Sequence, residues 1–140
     1  ADVFVLHNPP YGTLDKLPRY GHCGSQGLRQ AVDDVQPRLV LSGHVHESFG
    51  LLKLGQSYFL NPSNFGAVES MEGKQPGGYF STFQLQADES GQKFLRDVTW
   101  KRLVGGSIVD ICNIKIDKKQ RATETVIHAD EYEAMGKFLL

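Results

Sequence analysis

Several features that would narrow the setting of this chain are scarce. Cysteine occurs twice in 140 residues, at Cys23 and Cys112, without metal-motif spacing. That is too few for a disulfide framework and favours reduced thiols in a cytoplasm, with one long-range bridge as the alternative. Excess charge of either sign is also missing. The 15 Lys+Arg and 16 Asp+Glu leave a net charge of −1, which indicates neither nucleic-acid binding nor a polybasic membrane face. No apolar run approaches the ~18 residues needed to span a bilayer, and no charged segment leading into an apolar one marks a leader. The chain therefore reads as soluble and cytoplasmic. It contains no internal repeat or low-complexity stretch. An initiator methionine is absent too: Ala1 and Asp2 lead straight into the apolar run VFVLH, so the expectation is a start inside a larger unit.

What is present has α/β character. A chain of this length can remove roughly 68–70% of its unfolded surface from water, enough for one domain. The run VFVL at 3–6 is continuously apolar, the mark of a strand covered on both faces, and Pro9 and Pro10 end it because neither donates to a ladder. The segment YGTLDKLPRYGHC, 11–23, reads as a long loop, a common carrier of function. From Ser25, apolar residues at Leu28, Ala31, Val32 and Val35 predict an amphipathic helix stopped by Pro37, and a second strand follows at 38–42. Helix-linked strands of this kind are expected to be parallel neighbours. From about 49 onward, FGLLKLG, SYFLNPS, GGYFSTFQLQ, FLRDVTWKRL and SIVDICNIKID predict a second layer of mostly antiparallel strands. HADEYEAMGKFLL closes the chain as a short helix, with Asp130 and Glu133 spaced like a capping box.

The second strand runs into GHVH, and those two histidines carry the chemistry. Residues i and i+2 lie ~6.6 Å apart on one face of a strand and ~200° apart around a helix, so regular structure does not readily bring H-x-H onto one ion. A loop can turn both inward, with Gly43 expected to supply the sharp exit from the strand. Taken alone, His44 and His46 read as two loop imidazoles with ordinary hydrogen bonds before they read as metal ligands. His7 changes the balance, since it ends the other buried strand and should emerge at the same carboxyl edge of the sheet, where α/β folds place ligands. Three neutral imidazoles there match the donor preferences of Zn, Mn or Fe.

The pattern LHNPPYG, then a helix, LSGHVHES and YFLNPSNFG, resembles the C-terminal half of the calcineurin-like metallophosphoesterases. The resemblance covers about residues 1–66, with 67–140 compatible as a β-rich layer and C-terminal helix of the same domain. It implies part of an α-β-β-α sandwich with mixed and antiparallel sheet. It further implies hydrolysis of phosphate mono- or diesters at two divalent metal ions (Mn, Fe or Zn), His7 and His44 ligating one and His46 the other. The D-x-H, glycine-aspartate and G-N-H motifs of the family's N-terminal half do not occur in this sequence. Three imidazoles without carboxylates do not balance two dications, so a missing N-terminal half, or an equivalent segment, is expected to complete the site.

The remaining polar residues carry two readings each. His22 and Cys23 would add a ligand or a substrate contact, or neither. Tyr11, Arg19 and Tyr20 suit phosphate or leaving-group contacts as well as solvated loop chemistry. Asn61 and Asn64 fit a tight turn that the resemblance leaves close to the site. His128 reads as a surface residue, and Phe80, Phe83 and Trp100 as packing. Two alternatives to the phosphoesterase remain: a noncatalytic interaction scaffold on the same sandwich, and an unrelated mononuclear metal site needing His22 or Cys23 as a fourth ligand.

Overall fold

The computed structural model describes residues 2–70 and 73–140. In chain order the elements are β1 (Val3–Val5), β2 (Lys16–Leu17), β3 (Gly21–His22), α1 (Gln26–Val35), β4 (Leu39–Leu41), β5 (Gly50–Leu54) and β6 (Ser57–Asn61). They continue with β7 (Val68–Ser70), β8 (Gly73–Gln75), β9 (Tyr79–Ala87), β10 (Lys93–Val104), β11 (Ser107–Ile116), β12 (Ala122–Val126) and α2 (Ala129–Met135).

The two strands expected from VFVL and LVL are parallel neighbours, with Val3 opposite Leu39, Phe4 opposite Val40 and Val5 opposite Leu41. Helix α1 connects them. The Ser25 side chain accepts from the Leu28 amide at 3.1 Å, and Gln36 ends the helix in a left-handed conformation just before Pro37. Only Val32 is buried among the expected apolar positions, while Val35 is 47% exposed, so the helix touches the sheet along a narrow stripe.

The first sheet has the order β1-β4-β6-β5. This corrects the expectation that the second layer starts near residue 49. β6 pairs parallel with β4 and antiparallel with β5, placing both later strands in the first sheet. The physical reason lies in SYFLN, which is buried at all five positions, as suits a strand with neighbours on both edges and cover on both faces. Alternation then sorts the side chains. Leu39, Tyr58 and Leu60 face one core with Leu95, Val98, Trp100, Ile111 and Ile114, whereas Val40 and Phe59 face Val32 and Leu14 on the other side.

The second sheet, β12-β11-β10-β9, is antiparallel throughout. Strand β12 went unrecognised in the sequence because ATETV alternates small and polar residues without an apolar face. The result is a mixed α/β fold with helix, mixed sheet and antiparallel sheet in layers. The α2 helix packs on β11, and its Tyr132 and Met135 border the core between the sheets. Its cap differs from the expected capping box. His128 occupies the N-cap in an extended conformation and its Nδ1 accepts from the Glu131 amide, so Asp130 and Glu131 fall in the first turn, where carboxylates favour the helix dipole. Beyond α2, Phe138 fills the core against Trp100, with ring centroids 5.0 Å apart, and the tail pairs with Leu51.

Trp100 is fully buried, and its indole Nε1 has no hydrogen-bond partner among the described residues. Trp100→Ala is expected to cost about 3–5 kcal/mol in urea denaturation. Trp100→Phe should cost much less because it removes an unpaired donor while retaining an aromatic ring; equal losses from the two variants would contradict that account.

Candidate metal-site loop and its neighbours

The parallel pairing continues past the ends of β1 and β4. The Leu6 amide donates to the Leu41 carbonyl at 2.8 Å and the Gly43 amide to the His7 carbonyl at 3.1 Å, so His7 and the GHVH loop leave the sheet side by side. The sharp turn falls one residue later than expected. His44, not Gly43, takes the positive φ of 58°. The Val45 amide reaches the Gly43 carbonyl at 2.6 Å, closing a γ-turn centred on His44 in its rarer, more strained hand. Histidine is among the residues that tolerate this region best, and strain of this kind is found preferentially at functional sites.

The turn swings the His44 ring onto His7. His7 Nε2 and His44 Nδ1 lie 3.1 Å apart, with ring centroids at 4.8 Å, and both residues are exposed. One imidazole donates to the other. The same separation suits shared coordination, since two metal–nitrogen bonds of about 2.0–2.1 Å at a tetrahedral angle hold their nitrogens roughly 3.3 Å apart. The pair therefore fits as part of one ion's shell.

His46 turns elsewhere. Its Nδ1 lies 3.1 Å from a Glu47 carboxylate oxygen and 3.2 Å from Gln75 Oε1. A carboxylate only accepts, so the proton belongs on Nδ1 and the Nε2 lone pair remains for another partner. Among the described residues, no three His, Cys, Asp or Glu side chains are grouped so as to hold a metal ion.

The loop itself is tightly held. Val45 is buried as a plug, and buried Asn61 donates to the carbonyls of Val45 at 2.8 Å and Ser48 at 3.1 Å. Ser63 Oγ donates to the His46 carbonyl at 3.0 Å. Asn61 Oδ1 also accepts the Ser63 amide, so this residue both shapes its own turn and clamps the histidine loop. Asn64 ties the carbonyls of Gly66 and Pro76 together and leaves the histidines to its neighbours.

Sequence reasoning missed Asp15. It is 1% exposed within the long loop; its Oδ2 accepts from the amides of Gly12 and Gly24, both at 2.9 Å, and its Oδ1 lies 2.6 Å from His22 Nδ1. Burial alone would raise this carboxyl, but the Gly12 amide, the His22 imidazole and the Gly24 amide hold it below its ordinary value. Gly24 is needed for the closure, because a Cβ there would sit 2.6 Å from the Pro10 carbonyl oxygen. A usable signal existed: Asp15 is the sole acidic residue between Asp2 and Asp33.

Cys23 donates from Sγ to the Asp15 carbonyl at 3.0 Å, and burial, with the carboxylates of Asp15 and Glu47, pushes its thiol up. That disfavours a thiolate ligand or nucleophile. Cys112 is buried, with its thiol pushed up to about 12 by burial and by Glu124; both cysteines are free. The Tyr11 ring lies tilted by 56° against the His22 ring with centroids 5.4 Å apart, while Tyr20 is 72% exposed. Phe80 packs edge-on against Phe65, and Phe83 is partly exposed.

Comparison with known proteins agrees with the sequence pattern. No protein-family profile matches the chain. It is 38% identical over 65 residues to metallophosphoesterase domain-containing protein 1 of Homo sapiens, an overlap covering 45% of this chain and 20% of that protein; the mouse protein gives the same figures. An uncharacterized protein of Methanocaldococcus jannaschii is 36% identical over 64 residues, covering 42% of this chain and 29% of that protein. The overlap thus spans a fifth of the human and mouse relatives. Among solved structures, Vps29 from Entamoeba histolytica complexed with zinc matches at 19% identity and a TM-score of 0.39, covering 74% of this chain and 47% of the other. Vacuolar Protein Sorting 29 from Cryptosporidium parvum matches at 16% and 0.38, covering 74% and 45%. Over those 65 residues, part of the chain is similar to proteins named for a metallophosphoesterase domain. Among the described residues, no helix is long and apolar enough to cross a membrane.

Two expectations follow from this geometry. Replacing strained His44 by glycine should leave stability within about 0.5 kcal/mol of the parent, whereas His44→Val should cost about 1–2 kcal/mol, as read by denaturant midpoints. Because the folded state lowers the Asp15 carboxyl, the unfolded chain takes up that proton first. The stability Asp15 contributes is present above the ordinary value of 3.8 and is lost as acid carries the pH below it. Asp15→Asn should flatten this acid limb of the stability–pH curve, and an unchanged limb would dismiss the contribution.

Proposed function

We propose that this chain is the C-terminal part of a metal-dependent hydrolase of phosphate mono- or diesters, completed by residues outside it. The observation that carries the reading is the convergence of His7 Nε2 and His44 Nδ1 at 3.1 Å on the carboxyl edge of two parallel strands. In this reading His7 and His44 hold one divalent ion and His46, through its free Nε2, the other; Mn, Fe and Zn all suit imidazole donors. Such a pair of ions would supply the nucleophilic hydroxide and neutralise phosphoryl charge during an in-line displacement. The chain's own contribution is placement: the γ-turn aims His44, Glu47 and Gln75 set the tautomer of His46, and Asn61 fixes the loop that carries both. The carboxylates that balance two dications come from the completing segment. Two free cysteines support work in a reducing cytoplasm.

The test compares two lengths of protein. The 140-residue chain alone should bind Mn or Zn weakly and hydrolyse p-nitrophenyl phosphate or its bis-ester negligibly, while a longer protein carrying the upstream segment should do both. Within the longer protein, His44→Ala and His46→Ala should each lower turnover by on the order of 100-fold or more while folding is retained. Full metal-dependent activity from the short chain would refute the ligand count. A folded longer protein without metal or turnover would favour the interaction scaffold.

A further inference from the structure

The amino edge of the first sheet, opposite the histidines, carries a cleft that the phosphoesterase reading does not use. Arg38 immediately precedes β4 and His44 lies six residues further on, so about 20 Å of extended chain separates the two edges. A cavity of about 820 Å³ opens there between the start of β4, the β9–β10 turn and the β11–β12 turn. Four cations line it, Arg38, Lys93, Arg96 and Lys118, against two carboxylates, Asp88 and Glu89. None of the four cations forms an ion pair among the described residues, whereas Arg29, Arg102 and Arg121 each hold a carboxylate at 3.0 Å or less.

The reason lies in how the two turns are closed. Asp88 Oδ1 accepts the amides of Ser90 and Gln92, both at 2.9 Å, and the Ser90 hydroxyl at 2.6 Å. Asp117 repeats the device: its Oδ1 accepts the amides of Lys119 and Arg121, both at 2.9 Å, and its Oδ2 accepts from Arg121 Nε at 2.9 Å. Each turn is thereby fixed, and each spends on its own backbone a carboxylate that could otherwise pair with a neighbouring cation. Arg96 is also held without being satisfied. Its guanidinium lies 5.6 Å from the Phe94 ring centroid, Nη1 reaches Gln86 Oε1 only at 3.5 Å, and buried Nε has no partner among the described residues. Arg38, Lys93 and Arg96 are half-buried, while Asp88 and Glu89 are exposed. An extended polyanion or an anionic bilayer would meet those two carboxylates first, whereas a small anion can pass between them to the cations behind.

We infer that this cleft binds a small, soluble diphosphate, its two phosphoryl groups shared among the guanidiniums of Arg38 and Arg96 and the ammonium groups of Lys93 and Lys118. Guanidinium forks match pairs of phosphoryl oxygens, and ammonium groups serve as point charges beside them. Four cations against two carboxylates call for a ligand with more than one anionic group, since a single phosphate would leave part of the set unmatched. The cavity is larger than two phosphoryl groups require and falls in the size range of small-molecule sites, which leaves room for an organic group attached to them. The inference stands apart from the phosphoesterase reading, because it uses none of the histidines and no metal.

The test titrates pyrophosphate into the longer protein by calorimetry, with excess chelator so that no metal at the histidine edge takes the anion. Pyrophosphate should bind at least about tenfold more tightly than inorganic phosphate. Arg38→Gln and Arg96→Gln should each weaken it about tenfold or more and Lys118→Gln about threefold, while Lys137→Gln, outside the cleft, should leave it within about twofold. Should Arg96→Gln fail to fold, Arg38→Gln and exposed Lys118→Gln decide the matter. Absence of pyrophosphate binding, or binding that survives the variants, would overturn the site. Citrate binding as tightly as pyrophosphate would overturn the phosphoryl assignment. Tighter binding of a single-stranded RNA, or of phosphatidylcholine vesicles carrying phosphatidylinositol bisphosphate, lost in the same variants, would overturn the small soluble ligand in favour of a nucleic acid or a membrane.

Discussion

The parallel register of β1 against β4 is the constraint on which the rest of the site depends. Three residue pairs set it, and two further backbone bonds carry it beyond the strands to His7 and Gly43. A slip of one residue would send Leu39 toward the helix and Val40 toward the second sheet, reversing both cores at once, so the hydrophobic pattern enforces the register strongly. The proximity of the two imidazoles is thus a consequence of core burial. Their geometry is fixed by apolar side chains that never touch them.

Rigidity around the histidines is distributed unevenly. The backbone of the loop is fastened by buried groups, Val45 as a plug and Asn61 as a double donor, while the imidazoles of His7 and His44 stand exposed. Placing the clamp beneath the loop and not on the donor nitrogens leaves those nitrogens uncommitted except to each other. A metal would have only one imidazole–imidazole hydrogen bond to displace, and such a bond to a partly solvated partner contributes roughly 1 kcal/mol. His46 is oriented through the nitrogen opposite the one it would use, a common arrangement for imidazole ligands.

Much of this was legible in the sequence because it rests on local rules. VFV and LVL read as strands, Ser25 as the start of the helical stretch and Pro37 as its stop, and these hold, but β1 lies at the sheet edge with Val5 77% exposed and is not the strand covered on both faces that VFVL led one to expect. What was not legible depends on distance. The apolar runs in GLLKL and SYFLN announce strands but cannot say which sheet they join, and only the burial of both faces of β6 places it beside β4. Likewise Gly43 looked like the residue for the sharp turn, but Gly43 still pairs with the neighbouring strand through its amide, and the positive φ falls at His44. Asp15 was hidden for a related reason: its partners come from Gly12, His22 and Gly24, and a loop brings these together only when its ends are anchored by Pro9, Pro10 and Ser25.

On the proposed function, the charge balance bears on how the cleft beside the histidine loop would take a phosphate ester. A net charge of −1 gives no overall attraction for an anionic ester, so attraction must be local. Lys16 and Arg19 on the hairpin provide it at one wall of the cleft, and Glu47 on the other wall opposes it. A phosphate held between those walls alone would gain little, since one carboxylate offsets much of the field of two solvated cations. Divalent ions at the imidazole edge would reverse that balance, and Glu47 would then serve to orient His46 and not to repel the ester. On the proposed function, the same carboxylate would therefore disfavour an anion without metal and support a ligand with it, and phosphate affinity in this cleft would be contingent on the metal.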